Sequence, residues 1–303
     1  MKKLLKALIL FFIFTGIIIF LLEKKYSAYQ NTYDVILKDL KINASLYTDI
    51  YIGNSHTMAL DTFTDKEQAR VINLATPGQD LFKTYSILKK WLPLMKNVEY
   101  IYMGLDYENI GQNLSFSGLD YEDRQLFKYT DTLYKYSLEN VMMAKSNFFR
   151  ANRDINYILW GKDFSGNKNF IPPGLILNDE DCKKRALEHS QIRYKPDLVE
   201  ENLKLLENIF SLIEFNQKKL ILFVPPKRSC FIQNSLTKNI IFAKAKIYAV
   251  LKSHSITFYD FYNDSNFNDT DFIDYDHLNK NGRIKLIEKI NYQLPEKKKT
   301  DTL

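Results

Sequence analysis

The sequence predicts an α/β fold whose core is a parallel five-stranded sheet, with an N-terminal transmembrane helix and a large insertion. Short runs of β-branched and aromatic residues alternate with longer segments whose apolar residues recur at helical spacing. A glycine, a proline or a polar turn follows most of the short runs, as is usual where a parallel strand ends and a crossover begins. The 303 residues suffice for one large domain of this kind and an anchor.

The first apolar segment, residues 4–22, is interrupted by only one lysine, one threonine and one glycine. At about 1.5 Å per residue, roughly 19 helical residues nearly span a hydrocarbon layer of about 30 Å. A cleaved signal peptide is the alternative, because lysines precede the apolar core, but the residues after Leu22 offer no small-x-small cleavage site. We therefore expect a single-pass anchor, although Lys24 and Lys25 leave its orientation only weakly defined by charge.

Composition divides the whole chain into an anchor, a stalk, a domain and a tail. We assign residues 1–25 to the membrane anchor and residues 26–44, which are polar with scattered apolar positions, to a helical stalk. Residues 45–295 form the predicted domain, and residues 296–303 form a basic polar tail. An insertion at about 109–196 interrupts the domain, and segments of this size serve as lids, substrate platforms, interaction surfaces or structural decoration.

The regular pattern on both sides of the insertion predicts five strands. Before it, we predict strands at 49–53, 70–74 and 98–103, with a helix at 80–95. After it, we predict helices at 198–217, 240–251 and 280–294, with strands at 219–224 and 256–261. Because strands and helices alternate, the connections should be right-handed crossovers and the sheet parallel.

Charge and cysteine content exclude some classes of protein. Lysine and arginine total 42 against 36 aspartate and glutamate, which gives a formal charge of +6. Acidic and basic residues alternate along the chain instead of forming a basic stripe, so we expect no nucleic-acid partner. Cys182 and Cys230 could form a disulfide outside the cytoplasm or remain free thiols, and neither lies at metal-ligand spacing.

Polar residues follow the predicted strand ends and suggest a nucleophile with its base. Ser55 comes just after the first strand, but a serine hydroxyl is a poor nucleophile until an oriented base removes its proton. We predict that His277 is this base and that Asp274, three residues earlier, orients it. Asp276 could hold the imidazole instead, but adjacent side chains usually point apart. Read separately, Gly53 to His56 would suit a turn with a serine helix cap, and the histidine run would suit a capped surface turn.

Four segments together resemble the SGNH (GDSL-type) hydrolase superfamily. They are Gly53 to His56, Asn73 to Gly78, Gly104 to Tyr107 and Asp274 to Asn279. The resemblance implies a flavodoxin-like sheet, a catalytic triad of Ser55, His277 and Asp274, and oxyanion donors at the backbone amides of Ser55 and Gly78. The third oxyanion position of the family falls on Asp106.

Asp106 departs from the family pattern, which has an asparagine there. An ionised carboxylate would repel an oxyanion instead of donating to it, but burial could keep Asp106 protonated. Alternatively, Asn109 or His56 could replace it, or the site could bind without catalysing. The chemistry requires no cofactor, and we predict no metal site. The run from Asp264 is not a calcium loop, because Asp269 and Tyr275 replace its glycine and glutamate.

The layout resembles the membrane-anchored proteins of alginate O-acetylation and teichoic-acid D-alanyl transfer. It implies a membrane protein whose catalytic domain is extracytoplasmic and acts as an esterase or O-acyltransferase on acyl esters of a cell-surface polysaccharide. Its partners would be the membrane, a cell-surface glycan or acyl-ester substrate, and a membrane-bound acyltransferase. The alternatives are a catalytically inactive glycan-binding or assembly protein, and a scaffold whose insertion binds partner membrane proteins.

Overall fold

Five parallel strands form the sheet, in the spatial order β2-β1-β3-β4-β5. This 2-1-3-4-5 order is that of flavodoxin-like sheets, so the predicted α/β class and strand number are confirmed. Each residue of β1 and β3 is buried, as expected of parallel strands covered on both faces. The strands are β1 (Asp49–Ile52), β2 (Val71–Asn73), β3 (Tyr100–Gly104), β4 (Lys219–Val224) and β5 (Thr257–Asp260).

The computed structural model describes most of the chain and shows the helices that alternate with these strands. The described residues are 2–27, 32–60, 70–113, 126–134, 136–151 and 178–292. The helices within them are α1 (Lys2–Tyr26), α2 (Thr32–Asn43), α3 (Ser55–Met58), α4 (Leu81–Trp91), α5 (Leu138–Lys145), α6 (Asn147–Ala151), α7 (Asp179–Leu187), α8 (Val199–Phe215), α9 (Ser229–Asn234), α10 (Thr237–Leu251) and α11 (Lys280–Tyr292).

Local sequence explains where the helix α4 begins. Asp80 caps α4, because its carboxylate accepts the backbone N–H of Lys83 at 2.9 Å. Helices α4 and α8 begin and end close to their predicted limits, and β4 occupies the predicted residues. β3 begins two residues later than predicted, at Tyr100. Helices α3, α7 and α9 are too short or too polar to have been recognised from periodicity.

The chain forms two compact units. One unit comprises Met1–Val35 and Ser115–Asn169, and the other comprises Ile36–Leu114 and Phe170–Leu303. The sheet and every predicted site residue belong to the second unit. The boundaries of anchor, stalk, domain and tail stay predictions.

In the first unit, α1 packs against α6. The ring of Tyr26 meets that of Phe148 edge to face with centroids 5.5 Å apart. The carboxylate of Glu23 accepts the backbone N–H of Asn147 at 2.7 Å, which places a negative charge at the positive end of α6. No residue of α1 itself is buried, and its length and composition suit a membrane span, as they would suit a signal sequence.

In the second unit, aromatic residues of the sheet pack against α11. Tyr51 and Tyr102 lie side by side on β1 and β3, with stacked rings 4.7 Å apart, and Leu286 and Ile290 of α11 belong to the same buried cluster. This packing holds the C-terminal segment against the sheet. The turn before α11 carries Asp274 and His277, so the core helps to bring that turn to the site.

A disulfide joins Cys182 of α7 to Cys230 of α9, which decides a question that the sequence left open. Cys182 is fully buried, and it packs with Ala186, Phe231 and Tyr275. The disulfide and this cluster connect α7, α9 and the turn that carries His277. Two helices that the periodicity did not predict are thereby tied to the candidate site.

Candidate active site

Ser55 lies at the carboxyl end of β1, where a tight turn leads into α3. Gly53 makes the turn with a φ of 145°, a conformation that L side chains rarely adopt. A Cβ on Gly53 or on Gly104 would also meet the hydroxyl of Thr57, at 2.6 Å and 2.0 Å. Asn54 caps α3 by accepting the backbone N–H of His56 at 3.0 Å. The two glycines thus allow β1, β3 and α3 to approach closely beside the serine.

His277 and Asp274 lie in one turn before α11, and the turn orients the imidazole. Asp274 Oδ1 accepts the backbone N–H of His277 at 2.7 Å and that of Asp276 at 2.9 Å. The other oxygen, Oδ2, lies 2.8 Å from His277 Nδ1. One carboxylate therefore shapes the turn and contacts the ring together, which is why Asp-x-x-His spacing works here.

The structure brings Ser55, His277 and Asp274 together. Ser55 Oγ lies 2.8 Å from His277 Nε2, and Nδ1 on the other side of the ring faces Asp274. The nucleophile, the base and the orienting carboxylate are thus connected by two successive contacts within hydrogen-bond distance. Burial lowers the pKa of His277, but Asp276 and Asp274 outweigh it and raise that pKa to about 9.

Asp276 also faces the histidine, although adjacent side chains were expected to point apart. Its Oδ1 lies 3.4 Å from His277 Nδ1, which is longer than the contact from Asp274. Oδ2 lies 3.4 Å from Nε2 of His56, whose ring centroid is 4.5 Å from that of His277. Both carboxylates therefore contact the base, but Asp274 makes the hydrogen bond.

One alternative for Asp106 was that burial keeps it protonated, and the charges beside it oppose this alternative. Burial raises its pKa, but the charges and hydrogen bonds of His56 and Lys227 lower that pKa well below the usual range. Asp106 Oδ1 lies 2.8 Å from Lys227 Nζ, and Oδ2 lies 2.8 Å from His56 Nδ1. Asn54 Nδ2 also donates to Asp106 Oδ2. An ionised carboxylate so engaged accepts hydrogen bonds, and the role of Asp106 toward an oxyanion stays a prediction.

The two replacements suggested for Asp106 have other partners. Asn109 Oδ1 accepts the backbone N–H of Asp106 at 2.9 Å, so the amide holds the turn after β3. His56 pairs with Asp106 through Nδ1 and with Asp276 through Nε2. Ser55 begins α3, and the first N–H groups of a helix lack intrahelical acceptors, which suits its amide to an oxyanion.

Gly78 lies in the turn after β2 and has a φ of 65°. The backbone N–H of Thr76 donates to Gly53 O at 3.2 Å, so this turn is tied to the one that carries Ser55. Since the carboxyl ends of parallel strands meet at one edge of the sheet, Gly78 and Ser55 belong to the same edge. The roles of both amides as oxyanion donors stay predictions.

Lys227 is a buried lysine that contacts the charged residues next to the triad. Its side chain is 1% exposed and lies 3.3 Å from His56 Nε2 and 4.0 Å from Asp276 Oδ2. Burial lowers the pKa of Lys227, but the carboxylates, Asp106 foremost, raise it above its ordinary value. Burial also raises the pKa of nearby Glu108 to about 7. Lys227 therefore remains a cation in a cluster that is mostly anionic.

His56, Asp276 and His277 lie close enough to be tested as metal ligands, with their ligand atoms within 4.8 Å of one another. The ammonium of Lys227 lies within 4.0 Å of the first two, however, and Nε2 of His277 faces Ser55. A lysine cation beside two of three ligands opposes a divalent ion. The donor set fits an ion-pair network better than a metal centre.

Sequence reasoning missed Lys227 and Arg185. Arg185 of α7 lies 3.4 Å from Asp276 Oδ1 through its Nε. Lys227 follows β4 after two prolines, and this position at a strand end was a usable signal. Arg185 had none, because it belongs to a polar helix inside the predicted insertion.

Comparison with solved structures gives remote likenesses. No model of a protein family and no curated protein matches the sequence. Among solved structures, a candidate acylhydrolase from Bacteroides fragilis has 11% identity and a TM-score of 0.43, covering 87% of this chain and 99% of its own. A candidate platelet activating factor from Streptococcus pneumonia has 11% identity and a TM-score of 0.43, covering 91% and 97%.

A GDSL-like lipase from Bacteroides thetaiotaomicron has 10% identity and a TM-score of 0.43, covering 87% of this chain and 98% of its own. Likenesses this remote do not assign an activity, so the geometry of the site must do so. In its 2-1-3-4-5 sheet and in the meeting of Ser55, His277 and Asp274, the chain resembles the SGNH/GDSL superfamily.

Proposed function

We propose that the protein is an SGNH-like serine esterase or O-acyltransferase. The observation that carries the proposal is the line from Ser55 Oγ through the His277 imidazole to Asp274, with 2.8 Å at each contact. A serine hydroxyl in such contact with an oriented imidazole is the arrangement that activates it for attack on an acyl carbon. The edge of the sheet on which it lies is where α/β folds bind their ligands.

The reaction follows from these contacts. Ser55 Oγ attacks the ester carbonyl carbon while its proton passes to His277 Nε2. The tetrahedral intermediate then releases the alcohol, which takes the proton from His277 and leaves an acyl-serine. Water or a second hydroxyl attacks the acyl-serine and gives its proton to His277. Collapse of that intermediate returns the proton to Ser55 and releases an acid or a new ester.

We further propose that α1 anchors the protein and that the catalytic unit lies outside the cytoplasm, where it acts on acyl esters of a cell-surface polysaccharide. The Cys182–Cys230 disulfide supports this location, because disulfides persist in oxidising compartments and are rare in the cytosol. The apolar α1 supports attachment to a membrane. A membrane-bound acyltransferase that supplies the acyl group would be a partner in the transfer reaction.

A fluorophosphonate reagent, which phosphonylates activated serines, tests the enzymatic proposal. We expect covalent labelling at Ser55 and hydrolysis of a simple acetyl ester, with kcat falling at least ~10³-fold in Ser55→Ala. Ser253→Ala, which changes an exposed serine at the end of α10, is the matched control and should retain both. A folded protein that is neither labelled nor active would instead be a binding or assembly protein.

Hydrolysis and transfer differ only in what attacks the acyl-serine. If the protein is a transferase, adding a sugar alcohol to the ester assay should divert acyl groups to that alcohol at the expense of free acid. Mass spectrometry of the products measures this ratio. If free acid is the sole product at a saturating concentration of the acceptor, the protein is an esterase and does not transfer acyl groups to that acceptor.

A further inference from the structure

The imidazole of His277 faces two carboxylates, of which the triad uses one. Asp274 Oδ2 lies 2.8 Å from Nδ1, and Asp276 Oδ1 lies 3.4 Å from the same nitrogen. One N–H can make one short hydrogen bond, and Asp274 has it by distance. Asp276 therefore acts on the ring mainly through its negative charge.

Asp276 is buried, with a side chain that is 1% exposed. Among the described residues, its Oδ2 has no hydrogen-bond donor. A buried carboxylate is costly unless cations oppose it. Arg185 Nε lies 3.4 Å from Oδ1, His56 Nε2 lies 3.4 Å from Oδ2, and Lys227 Nζ lies 4.0 Å from Oδ2.

The carboxylates around His277 outnumber the lysine and arginine cations that face them. Asp274 and Asp276 are ionised, since the pKa of each lies below its usual value, and so is Asp106. Lys227 and Arg185 supply two permanent cations, which leaves one negative charge for an imidazolium to neutralise.

Two further groups face this cluster from neighbouring segments. Burial lowers the pKa of His189, which follows α7, to about 3, so this ring is neutral. Glu108, beside Lys227 and with a pKa raised to about 7, is partly protonated near neutrality and adds a negative charge at higher pH. Neither group supplies a cation to this cluster.

We propose that Asp276 is a positioning residue of the triad, which holds the His277 imidazolium from the buried side while Arg185 and Lys227 hold Asp276 in its ionised form. The proposal rests on the proposed function, in which His277 takes the proton of Ser55. The imidazolium exists at the moment when charge develops on the acyl oxygen, so a fixed carboxylate beside it stabilises the transition state without reorganising.

The test is an NMR titration of His277 in the full-length protein labelled with ¹⁵N-histidine. The chain has only four histidines, and a His277→Asn sample identifies the signal. Asp276→Asn should lower the titration midpoint of His277 by at least about one pH unit, as expected for a charge at this distance. Arg185→Gln should raise the midpoint, because it leaves Asp276 less compensated. An unchanged midpoint in both variants would overturn the proposal.

Arg185 is 28% exposed in its side chain, so Arg185→Gln still tests the proposal if Asp276→Asn does not fold. Where both variants fold, the double variant is informative, because Arg185 should have little effect once Asp276 is neutral. A full Arg185 effect in the Asp276→Asn background would contradict action through Asp276. Asp264→Asn, which removes a carboxylate paired with Lys289, is the control and should leave the midpoint unchanged.

Activity separates this proposal from the proposed function. If Ser55 is labelled by the fluorophosphonate, Asp276→Asn should move the rising limb of kcat/KM to lower pH and lower its plateau. Labelling at Ser55 without any shift of the midpoint would refute the role of Asp276 alone. A shift of the midpoint without labelling would refute the proposed function and, with it, the catalytic purpose of Asp276.

Discussion

At the scale of single residues, the site combines two sets of side chains. The spacing of the sequence reveals the triad, but it does not reveal the charged cluster around Lys227. Asp274 shapes its own turn and orients His277, so their relation is local in sequence. Asp106, by contrast, pairs with Lys227, which lies 121 residues further along the chain. Asp106 is therefore one half of an ion pair with Lys227. The roles of Asp106 and His277 can each be measured separately.

The pH dependence of the reaction should report His277. An imidazolium cannot accept the proton of Ser55, so kcat/KM for an acetyl ester should rise with pH and level off above an apparent pKa near 9. Because the folded pKa lies above the ordinary value of 6.5, stability from this group should be complete below about pH 6.5 and lost as pH rises through about 9. A rising limb centred at or below pH 6.5 would contradict the carboxylate environment.

Asp106→Asn should destabilise the protein, because Asp106 is ionised and paired. A neutral Asp106 would instead predict that the variant keeps its activity. The change leaves the ammonium of Lys227, whose side chain is 1% exposed, without its closest counter-ion. Breaking a buried pair costs ~3–5 kcal/mol, which urea unfolding followed by circular dichroism would measure. Asp264→Asn breaks a more exposed pair and should cost no more than ~1 kcal/mol. Equal losses in the two variants would argue against a structural ion pair at Asp106.

At the scale of elements, the site depends on segments that are held by covalent and packing contacts. The Cys182–Cys230 disulfide connects α7 to α9. Helix α7 carries Arg185, and α9 begins two residues after Lys227. The cysteines are separated by 48 residues, so the link removes considerable freedom from the unfolded chain.

Replacing both cysteines by serine should lower the free energy of unfolding by ~4 kcal/mol on the chain-entropy estimate for a loop of this length. Thermal unfolding with and without dithiothreitol measures the effect. Reductant should lower the Tm of the wild-type protein and leave that of the double variant unchanged. If mass spectrometry shows that the disulfide is reduced and the Tm of the wild-type protein is nevertheless unchanged, the disulfide does not stabilise the fold.

At the scale of the whole molecule, an exposed apolar helix and a disulfide occur in one chain. None of α1 is buried in the protein, and such a surface is unfavourable in water. Both features bear on the proposed location, because α1 is apolar enough to span a membrane, as a signal sequence also would be, and disulfides persist in oxidising compartments.

The proposed membrane attachment predicts the fate of the N-terminus. Because no small-x-small site follows Leu22, α1 should remain attached in the mature protein. N-terminal sequencing of protein from the membrane fraction should begin at residue 1 or 2. A mature chain that begins after Leu22 would show that the segment is a removed signal.

The sequence by itself determined the strands, their parallel arrangement and the meeting of Ser55 with His277 and Asp274. Strand signals are local, parallel strands end at one edge of a sheet, and Asp274 lies one turn from the histidine that it orients. Only the tertiary structure decided the ionised state of Asp106, the disulfide and the contacts of Lys227 and Arg185. Those contacts arise from packing between segments that are distant in the chain, and a pKa depends on the burial and charges that such packing creates.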